Sequence, residues 1–398
     1  MLTHMQVRNF RSIEGAEMDF GPITVLFGPT SSGKSSLLYS LLVLRSFTLN
    51  PNQSADGLFN LGFLDMGGFD ACVFNHIDPG VIEVNASFDT ERGAGSYGIR
   101  LRKNEAEIAT RVDGLKMTTQ VPVPYGAGTS WAHEYIKDDE AFTVNWNGFA
   151  SSVVPKSGDP EHLVSSIELS ERVNSPAEAL KRVDVCPHRR GFYKPSYAPV
   201  PLTPTPTGEN EVATLIIGDQ NSPPRISIDT VEIFDRDFRT YTVPGTATTY
   251  LQTTEQTGAR IPGLLVNDGF GVNQVVYMLA KIHSPATDTV LIEEPEVHLH
   301  PTVIRKFARV CARLATEDRK QLVFTTHSAQ FLLSLLACVA EGLLSPSNIR
   351  CYYALREKKA TQFNPETVSE EGQISGGMAS FMEAELYDMK AFLKVDRK

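Results

Sequence analysis

The chain has 398 residues, of which 41% are hydrophobic and 21% are charged, and its formal net charge is −10. This composition is typical of a soluble globular protein with one large domain or two ordinary ones. The acidic balance argues against a broadly basic nucleic-acid surface, although a local basic groove stays open. No apolar run is long enough to predict a membrane span, and the five scattered cysteines predict reduced thiols in the cytoplasm.

The first segment predicts strand, strand, phosphate-binding loop and helix. Apolar or alternating runs at 5–10 and 23–27 predict the strands, and residues 28–35 match the P-loop pattern G-x-x-x-x-G-K-[ST]. Backbone N–H groups of such a loop wrap phosphates, the lysine reaches the outer phosphates, and the serine hydroxyl binds Mg²⁺. We therefore predict a nucleotide-binding set of Gly28, Pro29, Thr30, Ser31, Ser32, Gly33, Lys34, Ser35 and Ser36.

The middle of the chain changes to a period of two. Alternation from Val81 to Trp146, with turn signals at Asp113-Gly114 and Asn147-Gly148, predicts antiparallel hairpins. Further on we predict a helix at 176–183, an extended proline-rich loop at 195–206, and a strand at 226–234.

The last third alternates between helix and strand. The pattern predicts helices at 272–282, 302–315 and 329–342, and strands at 289–292, 321–326 and 349–354. This alternation indicates a parallel sheet flanked by helices. The predicted fold class is therefore α/β, a P-loop NTPase with a mixed or parallel sheet and a β-rich antiparallel insert.

An acid pair follows one of these strands. The apolar run 289–292 ends on Glu293-Glu294-Pro295, and buried acids without a positive partner are costly. Mg²⁺ bound to a nucleotide is the candidate partner, so the two segments together predict an ATP site. Glu293 would face Mg²⁺ through water, and Glu294 would be the general base for the attacking water. The alternative is a solvated glutamate pair, which the matching P-loop disfavours.

Two further segments complete the predicted site. The strand 321–326 ends on Thr-Thr-His, so His327 should lie at the same sheet edge and contact the γ-phosphate or the attacking water. Gly269 and Gly271 precede a helix whose N-terminus would bind a second anion, which makes sense across a dimer interface. The alternatives are an ordinary surface histidine and a simple glycine turn.

The order of these motifs resembles that of the ABC-type ATPases of the SMC, RecF and overcoming-lysogenization-defect (OLD) groups. Residues 5–12 resemble their opening strand, and residues 292–301 resemble the stand-alone and OLD-type branch, an AAA-family ATPase without coiled coil or nuclease domain. The resemblance covers residues 1–80 and 260–355. It implies a homodimer that sandwiches two ATP molecules, in which Gly269, Gly271 and Asn273 contact the partner's nucleotide and His298 lies between the two sites.

Three features depart from that family pattern. Glu293 stands where transporters and SMC heads usually have aspartate, and the glycine signature lacks the usual Ser-Gly-Gly. No clear glutamine loop follows the P-loop, so Asn75-His76 is the candidate for its position. The pair His298 and His300 has too few neighbouring ligands to predict a metal site.

The resemblance implies an N-terminal lobe at 1–80, a β-rich insert at 81–259 and a C-terminal lobe at 260–398. The predicted function is Mg²⁺-dependent ATP hydrolysis that controls DNA or effector engagement in genome maintenance or anti-phage defence. The alternative is an ATP-gated, non-catalytic regulator of a separately encoded nuclease or toxin, since only about 44 residues follow Ala354. A transporter ATPase is disfavoured by the glycine signature. Candidate DNA contacts are the cluster 188–194 and a helical face with Arg305, Arg309 and Arg313, although ion pairing or solvation also explains them.

Overall fold

A computed structural model describes the chain except residues 78–79, 127–129, 138–139, 157–159, 377, 384–386, 388, 391 and 393–398. The strands are β1 Leu2–Phe10, β2 Ile13–Asp19, β3 Ile23–Phe27, β4 Ile82–Thr90, β5 Gly93–Leu101, β6 Glu105–Val112, β7 Leu115–Pro122, β8 Trp131–Lys137, β9 Glu140–Trp146, β10 Ser151–Pro155, β11 Val183–Cys186, β12 Arg236–Thr242, β13 Thr249–Glu255, β14 Gly263–Leu264, β15 Thr289–Glu293, β16 Gln321–Thr326, β17 Ile349–Glu357 and β18 Ala360–Glu366. The α-helices are α1 Lys34–Leu49, α2 Ala55–Leu58, α3 Phe69–Cys72, α4 Pro160–Lys181, α5 Glu209–Gly218, α6 Ser222–Phe234, α7 Phe270–His283, α8 Pro301–Thr316, α9 Ala329–Ala340 and α10 Met378–Phe381, and short 3₁₀ helices cover Phe74–His76, Leu265–Asn267 and Pro346–Asn348.

A six-stranded sheet in the order β11-β15-β16-β3-β17-β18 carries the predicted nucleotide motifs. All neighbours pair in parallel except β17 and β18, which form an antiparallel hairpin. Every residue of β3, β15 and β16 is buried, because helices or a second sheet cover both faces of a parallel sheet. The carboxyl ends of β3, β15 and β16 therefore meet at one edge, where the P-loop, the acid pair and His327 follow.

The two faces of this sheet pack into two separate hydrophobic cores. Leu291 packs into a core shared with α1 and the N-terminal strands, whereas Val290 and Ile292 belong to a core with α7, α8 and α9. Helix α1 is buried along most of its length because it lies between the parallel sheet and the N-terminal strands. This position explains why its sequence is apolar nearly all round, as a buried helix requires.

A second six-stranded sheet, entirely antiparallel, has the order β2-β1-β4-β5-β6-β7. Its strands alternate buried and exposed residues, as β7 does along its whole length, so the predicted period of two is confirmed. Asp113 and Gly114 form the two-residue turn between β6 and β7, and both have positive φ. Positive φ at both positions is what the favoured two-residue hairpin turn requires.

The segment predicted as an insert, 81–259, shares sheets with the segments on either side. Strands β4 to β7 extend the sheet begun by β1, and β11 pairs in parallel with β15. Two three-stranded antiparallel sheets, β10-β9-β8 and β12-β13-β14, also lie in this region or at its border. The division into 1–80, 81–259 and 260–398 stays a prediction.

The strand predicted at 226–234 is wrong, because these residues form the end of helix α6. Ile226, Thr230 and Ile233 are buried with the spacing of one helical face, and the β-branched composition masked that period. The helix predicted at 176–183 begins earlier, since Pro176 lies inside α4 and Val183 already opens β11. Among the described residues, no helix combines the length and the apolar character that crossing a bilayer would need.

Candidate functional site

The P-loop connects the buried strand β3 to helix α1, and its two outer glycines are dictated by close packing. Gly28 has a φ of +143°, and a Cβ there would come within 2.3 Å of the Ala354 carbonyl oxygen. Gly33 has a φ of +93°, and a Cβ there would come within 2.2 Å of Thr361 Oγ1. Both positions therefore exclude a side chain, and the hairpin β17–β18 forms the wall against which the loop packs.

Lys34 lies beneath the loop and is almost fully buried. Its Nζ donates hydrogen bonds to the carbonyl oxygens of Gly28 and Pro29, at 2.8 and 2.7 Å, and to Ser32 Oγ at 3.3 Å. Burial lowers its pKa from 10.5 to about 8, while the carboxylates of Glu294 and Glu296 oppose that shift. A partly desolvated cation at a helix N-terminus is well suited to hold phosphate oxygens.

A cavity of about 650 Å³ opens over the loop. Its lining includes residues 30–36 of the predicted nucleotide-binding set, with Glu294 on the side of the acid pair. Three further cations, Arg11, Arg356 and Lys359, line the same cavity, and none of them is ion-paired to a carboxylate among the described residues. The sequence analysis missed these three because they come from distant segments that share no motif with the P-loop.

The two glutamates of the acid pair have different surroundings. Glu293 ends β15 and is only 4% exposed; its Oε1 accepts a hydrogen bond of 2.7 Å from the Tyr39 hydroxyl. Its Oε2 lies 3.3 Å from the backbone nitrogen of His188. Burial and the Glu293 carboxylate raise the pKa of Tyr39 well above its usual range, so Tyr39 remains a donor. Glu293 is thus a fixed, buried anion.

Glu294 turns away from the strand and into the cavity. Its φ of +44° is unusual for a non-glycine residue, and its backbone N–H donates to the Thr325 carbonyl at 2.8 Å. Oε1 lies 3.2 Å from His327 Nδ1, and Oε2 lies 3.1 Å from His188 Nδ1. The side chain is 30% exposed. Glu294 is therefore the acid of the pair that can reach a bound molecule.

Glu296 is a third carboxylate at this edge, and in the sequence it stands out only as part of the segment 292–301 that resembles the OLD-type branch. Thr326 Oγ1 donates to its Oε1 at 2.7 Å, and His327 Nδ1 lies 3.8 Å away. Burial raises the pKa of Glu296 above its ordinary value. Thr326 thus holds Glu296 in place, and Glu296 in turn lies beside the ring of His327. The role of His327 as a γ-phosphate contact stays a prediction.

The predicted signature segment lies at the start of α7. Gly269 is the N-cap residue, with open space where a Cβ would be, whereas a Cβ at Gly271 would lie 3.1 Å from the His298 carbonyl oxygen. The rings of Phe270 and His298 are 5.5 Å apart. The loop after the acid pair therefore packs directly on the helix start, and the predicted contacts of Gly269 and Gly271 with a second nucleotide stay predictions.

Asn273, predicted to contact the partner's nucleotide, has a buried structural contact in this chain. Its Oδ1 accepts from the Phe192 backbone N–H and its Nδ2 donates to the Phe192 carbonyl oxygen, both at 2.7 Å. Both halves of the amide are thus committed within the protomer. Asn75 and His76, the candidates for the glutamine loop, line the nucleotide cavity, and their role stays a prediction.

The candidate DNA contacts have internal partners. Arg305 and Arg309 form ion pairs with Glu341, while Arg313 pairs with Asp229 and Glu232. In the cluster 188–194, Arg190 and Phe192 are buried, so the cluster is not a continuous exposed surface. These contacts explain the residues without nucleic acid, and DNA binding stays a prediction.

The chain is similar to known proteins both in sequence and in fold. A family model described as "AAA domain" matches residues 4–112, and one described as "AAA domain, putative AbiEii toxin, Type IV TA system" matches residues 205–334. An OLD nuclease from Thermus scotoductus is 23% identical over 355 residues, which is 83% of this chain and 60% of that relative. The chain therefore spans about three fifths of the relative's length.

Two solved structures share the fold at low sequence identity. An SMC head bound to the C-terminal winged-helix domain of ScpA has a TM-score of 0.52 and 9% identity, covering 92% of this chain and 97% of that one. An SMC head with an extended coiled coil bound to the C-terminal domain of ScpA, from Pyrococcus furiosus, has a TM-score of 0.50 and 10% identity, covering 100% and 99%. The predicted fold class is confirmed by these matches.

Proposed function

We propose that this chain, which belongs with the ABC-type ATPases of the SMC, RecF and OLD-like group as its motifs predicted, binds and hydrolyses ATP with Mg²⁺. The observation that carries the proposal is the convergence of Lys34, Glu294 and His327 at one sheet edge, where Lys34 and Glu294 line one cavity and His327 Nδ1 lies 3.2 Å from Glu294 Oε1. In open α/β sheets, ligands bind outside the carboxyl ends of the strands. The AAA-type matches support a nucleotide-binding ATPase role in general.

ATP would bind with its phosphates against the loop 28–36. The phosphate oxygens would replace the loop carbonyls as acceptors for Lys34 Nζ, and the first N–H groups of α1 would donate to them. Arg11, Arg356 and Lys359 add positive charge to the same cavity and favour a triphosphate over less charged ligands.

The residues present fit Mg²⁺, because the available donors are oxygens. Ser35 lines the cavity. Tyr39, about one turn further along α1, connects this helix to Glu293 through its hydrogen bond. Both carboxylate oxygens of Glu293 have protein donors, which favours contact through metal-bound water rather than direct ligation. When bound, Mg²⁺ would neutralise developing charge on the phosphates.

Glu294 would be the general base. Its carboxylate lines the cavity, and histidines on both sides hold it in one orientation. Each carboxylate oxygen has two lone pairs, so both can accept a hydrogen bond from histidine and still accept a proton from water. His327 lies beside the same carboxylate and would contact the γ-phosphate as the proton moves.

ATP binding would also close a homodimer. The exposed N-cap residue Gly269 offers N–H groups at a positive helix end, and His298 packs beside it. Closing two such surfaces on two nucleotides would couple hydrolysis to dimer opening and so to the engagement of DNA or an effector. The similarity to an OLD nuclease and to a family described as a putative AbiEii toxin supports a role in anti-phage defence or genome maintenance, which would take place in the cytoplasm.

A second candidate function is an ATP-gated regulator that does not turn over. The toxin–antitoxin description of the family model matching residues 205–334 favours this alternative. In that role, nucleotide binding alone would set the state of a separately encoded nuclease or toxin.

Steady-state ATPase activity distinguishes the two functions. Glu294→Gln should lower kcat by about 10²- to 10⁴-fold, the usual contribution of a general base. Glu317→Gln, an exposed glutamate at the end of α8, is the matched control and should keep full activity. Wild-type turnover no higher than background would exclude the hydrolase function, whereas equal, substantial turnover in wild type and Glu294→Gln would exclude Glu294 as the general base. Light scattering of Glu294→Gln with Mg·ATP tests the dimer, and a mass that stays that of a monomer would contradict it.

A further inference from the structure

The loop that follows β11 runs along the edge of the acid pair. Strand β11 pairs in parallel with β15, and Cys186 stands opposite Ile292. Residues 187–190 must therefore lie beside Glu293 and Glu294, although more than 100 positions separate them in the chain. From the sequence, this loop is a candidate nucleic-acid contact or a cluster of ion-paired cations, without an indication of which acids it meets.

His188 contacts both acids of the pair. Its backbone nitrogen lies 3.3 Å from Glu293 Oε2, and its Nδ1 lies 3.1 Å from Glu294 Oε2. His327 Nδ1 lies 3.2 Å from Glu294 Oε1, so each carboxylate oxygen has its own histidine. A glutamate side chain with both oxygens held from opposite sides has lost most of its rotational freedom.

Arg190 fixes the backbone beneath that carboxylate. Its Nη1 donates to the Glu293 carbonyl oxygen at 2.5 Å and its Nη2 to the Glu294 carbonyl oxygen at 2.7 Å. Arg190 is 2% exposed, and burial lowers the pKa of its guanidinium. Since Glu294 has a positive φ, which is unfavourable for a non-glycine residue, a rigid planar donor on these two carbonyls keeps it in place.

We propose that the loop 187–190 positions the general base: Arg190 holds the backbone of Glu294, and His188 holds its carboxylate toward the γ-phosphate side of the cavity. His188 is a positioning residue that acts through Glu294, and the inference rests on the proposed hydrolysis. His188 Nδ1, 3.1 Å from Oε2, is the ion-pair partner of this carboxylate when the ring is protonated, and the carboxylate oxygens keep lone pairs for the water proton. Without His188, Glu294 pivots on His327 alone, and the fraction of correctly oriented base falls.

The test is ATP turnover in three variants of His188. His188→Ala should lower kcat about 10- to 30-fold. It should leave the KM for ATP unchanged, because His188 does not line the cavity over the P-loop. His188→Asn should restore most of the rate, since its amide nitrogen occupies the position of Nδ1. His188→Gln, whose amide nitrogen corresponds to Nε2, should behave like alanine. A merely structural role would not separate asparagine from glutamine.

His4→Ala is the matched control, because His4 Nδ1 lies 2.9 Å from Asp19 Oδ1, a similar histidine–carboxylate pair on β1 away from the cavity. It should keep wild-type kcat. If Glu294→Gln abolishes turnover but His188→Ala keeps it, or if asparagine is as poor as alanine, the positioning inference is overturned while the hydrolase proposal stands. If Glu294→Gln retains full turnover, Glu294 is not the general base and the positioning inference fails, whereas the hydrolase proposal itself fails if wild type does not turn over ATP.

Discussion

Replacing Asn273 by alanine tests whether this residue holds the protein together or serves a nucleotide. The side chain is 5% exposed, and its amide makes two hydrogen bonds of 2.7 Å with the backbone of Phe192, itself 1% exposed. Truncation leaves a buried N–H and a buried C=O without partners. Each unsatisfied group costs about 1–3 kcal/mol, and a water that enters the space left by the amide would keep the cost in the lower part of that range.

The expected loss for Asn273→Ala is therefore about 2–4 kcal/mol in the free energy of unfolding, or about 30- to 700-fold in the folding equilibrium. Urea denaturation followed by tryptophan fluorescence measures it. Asn267→Ala, the same change at an exposed position six residues earlier, should shift stability by less than about 0.5 kcal/mol. Unchanged stability in Asn273→Ala, together with weaker ATP-dependent dimerisation, would refute this reasoning and favour the contact with a partner's nucleotide.

Two further predictions concern the charges around the phosphates. Burial lowers the pKa of Lys34 to about 8, so the free protein loses this charge as the pH rises through 8, whereas bound phosphate keeps it protonated. ATP affinity measured by titration calorimetry should therefore fall between pH 7.5 and 9.5, by at most about tenfold per pH unit, and a flat profile would contradict the assignment. Arg356→Gln combined with Lys359→Gln should weaken ATP binding about 3- to 30-fold with kcat unchanged, as fits the loss of two exposed charges. Lys358→Gln, which does not line the cavity, should have no effect.

Much of the candidate site at the carboxyl ends of β3, β15 and β16 could be predicted from sequence, because each of its motifs is contiguous. The P-loop and the strand before the acid pair each carry their pattern within a dozen residues, and parallel strand ends must meet at one edge. Lys34, Glu294 and His327 could therefore be assigned to one site from the sequence alone.

The contribution of the loop 187–190 to that site could not be predicted, because it depends on a long-range strand pairing. His188 and Arg190 reach the acid pair only because β11 pairs with β15 in the sheet. In the sequence they appear as a small basic and aromatic cluster, a pattern that also fits nucleic-acid binding. Asn273 was misleading for the same reason: its partner, Phe192, lies 81 positions away.

The central claim, that one site binds ATP through the P-loop and hydrolyses it through Glu294, is tested most directly by recovering the bound nucleotide. Each purified variant is incubated with Mg²⁺ and radiolabelled ATP, desalted on a gel-filtration column, and analysed for ATP and ADP. The account predicts unhydrolysed ATP on Glu294→Gln, ADP released by wild type, and no nucleotide on Lys34→Ala. Recovery of ADP from Glu294→Gln in the amount seen with wild type would contradict it.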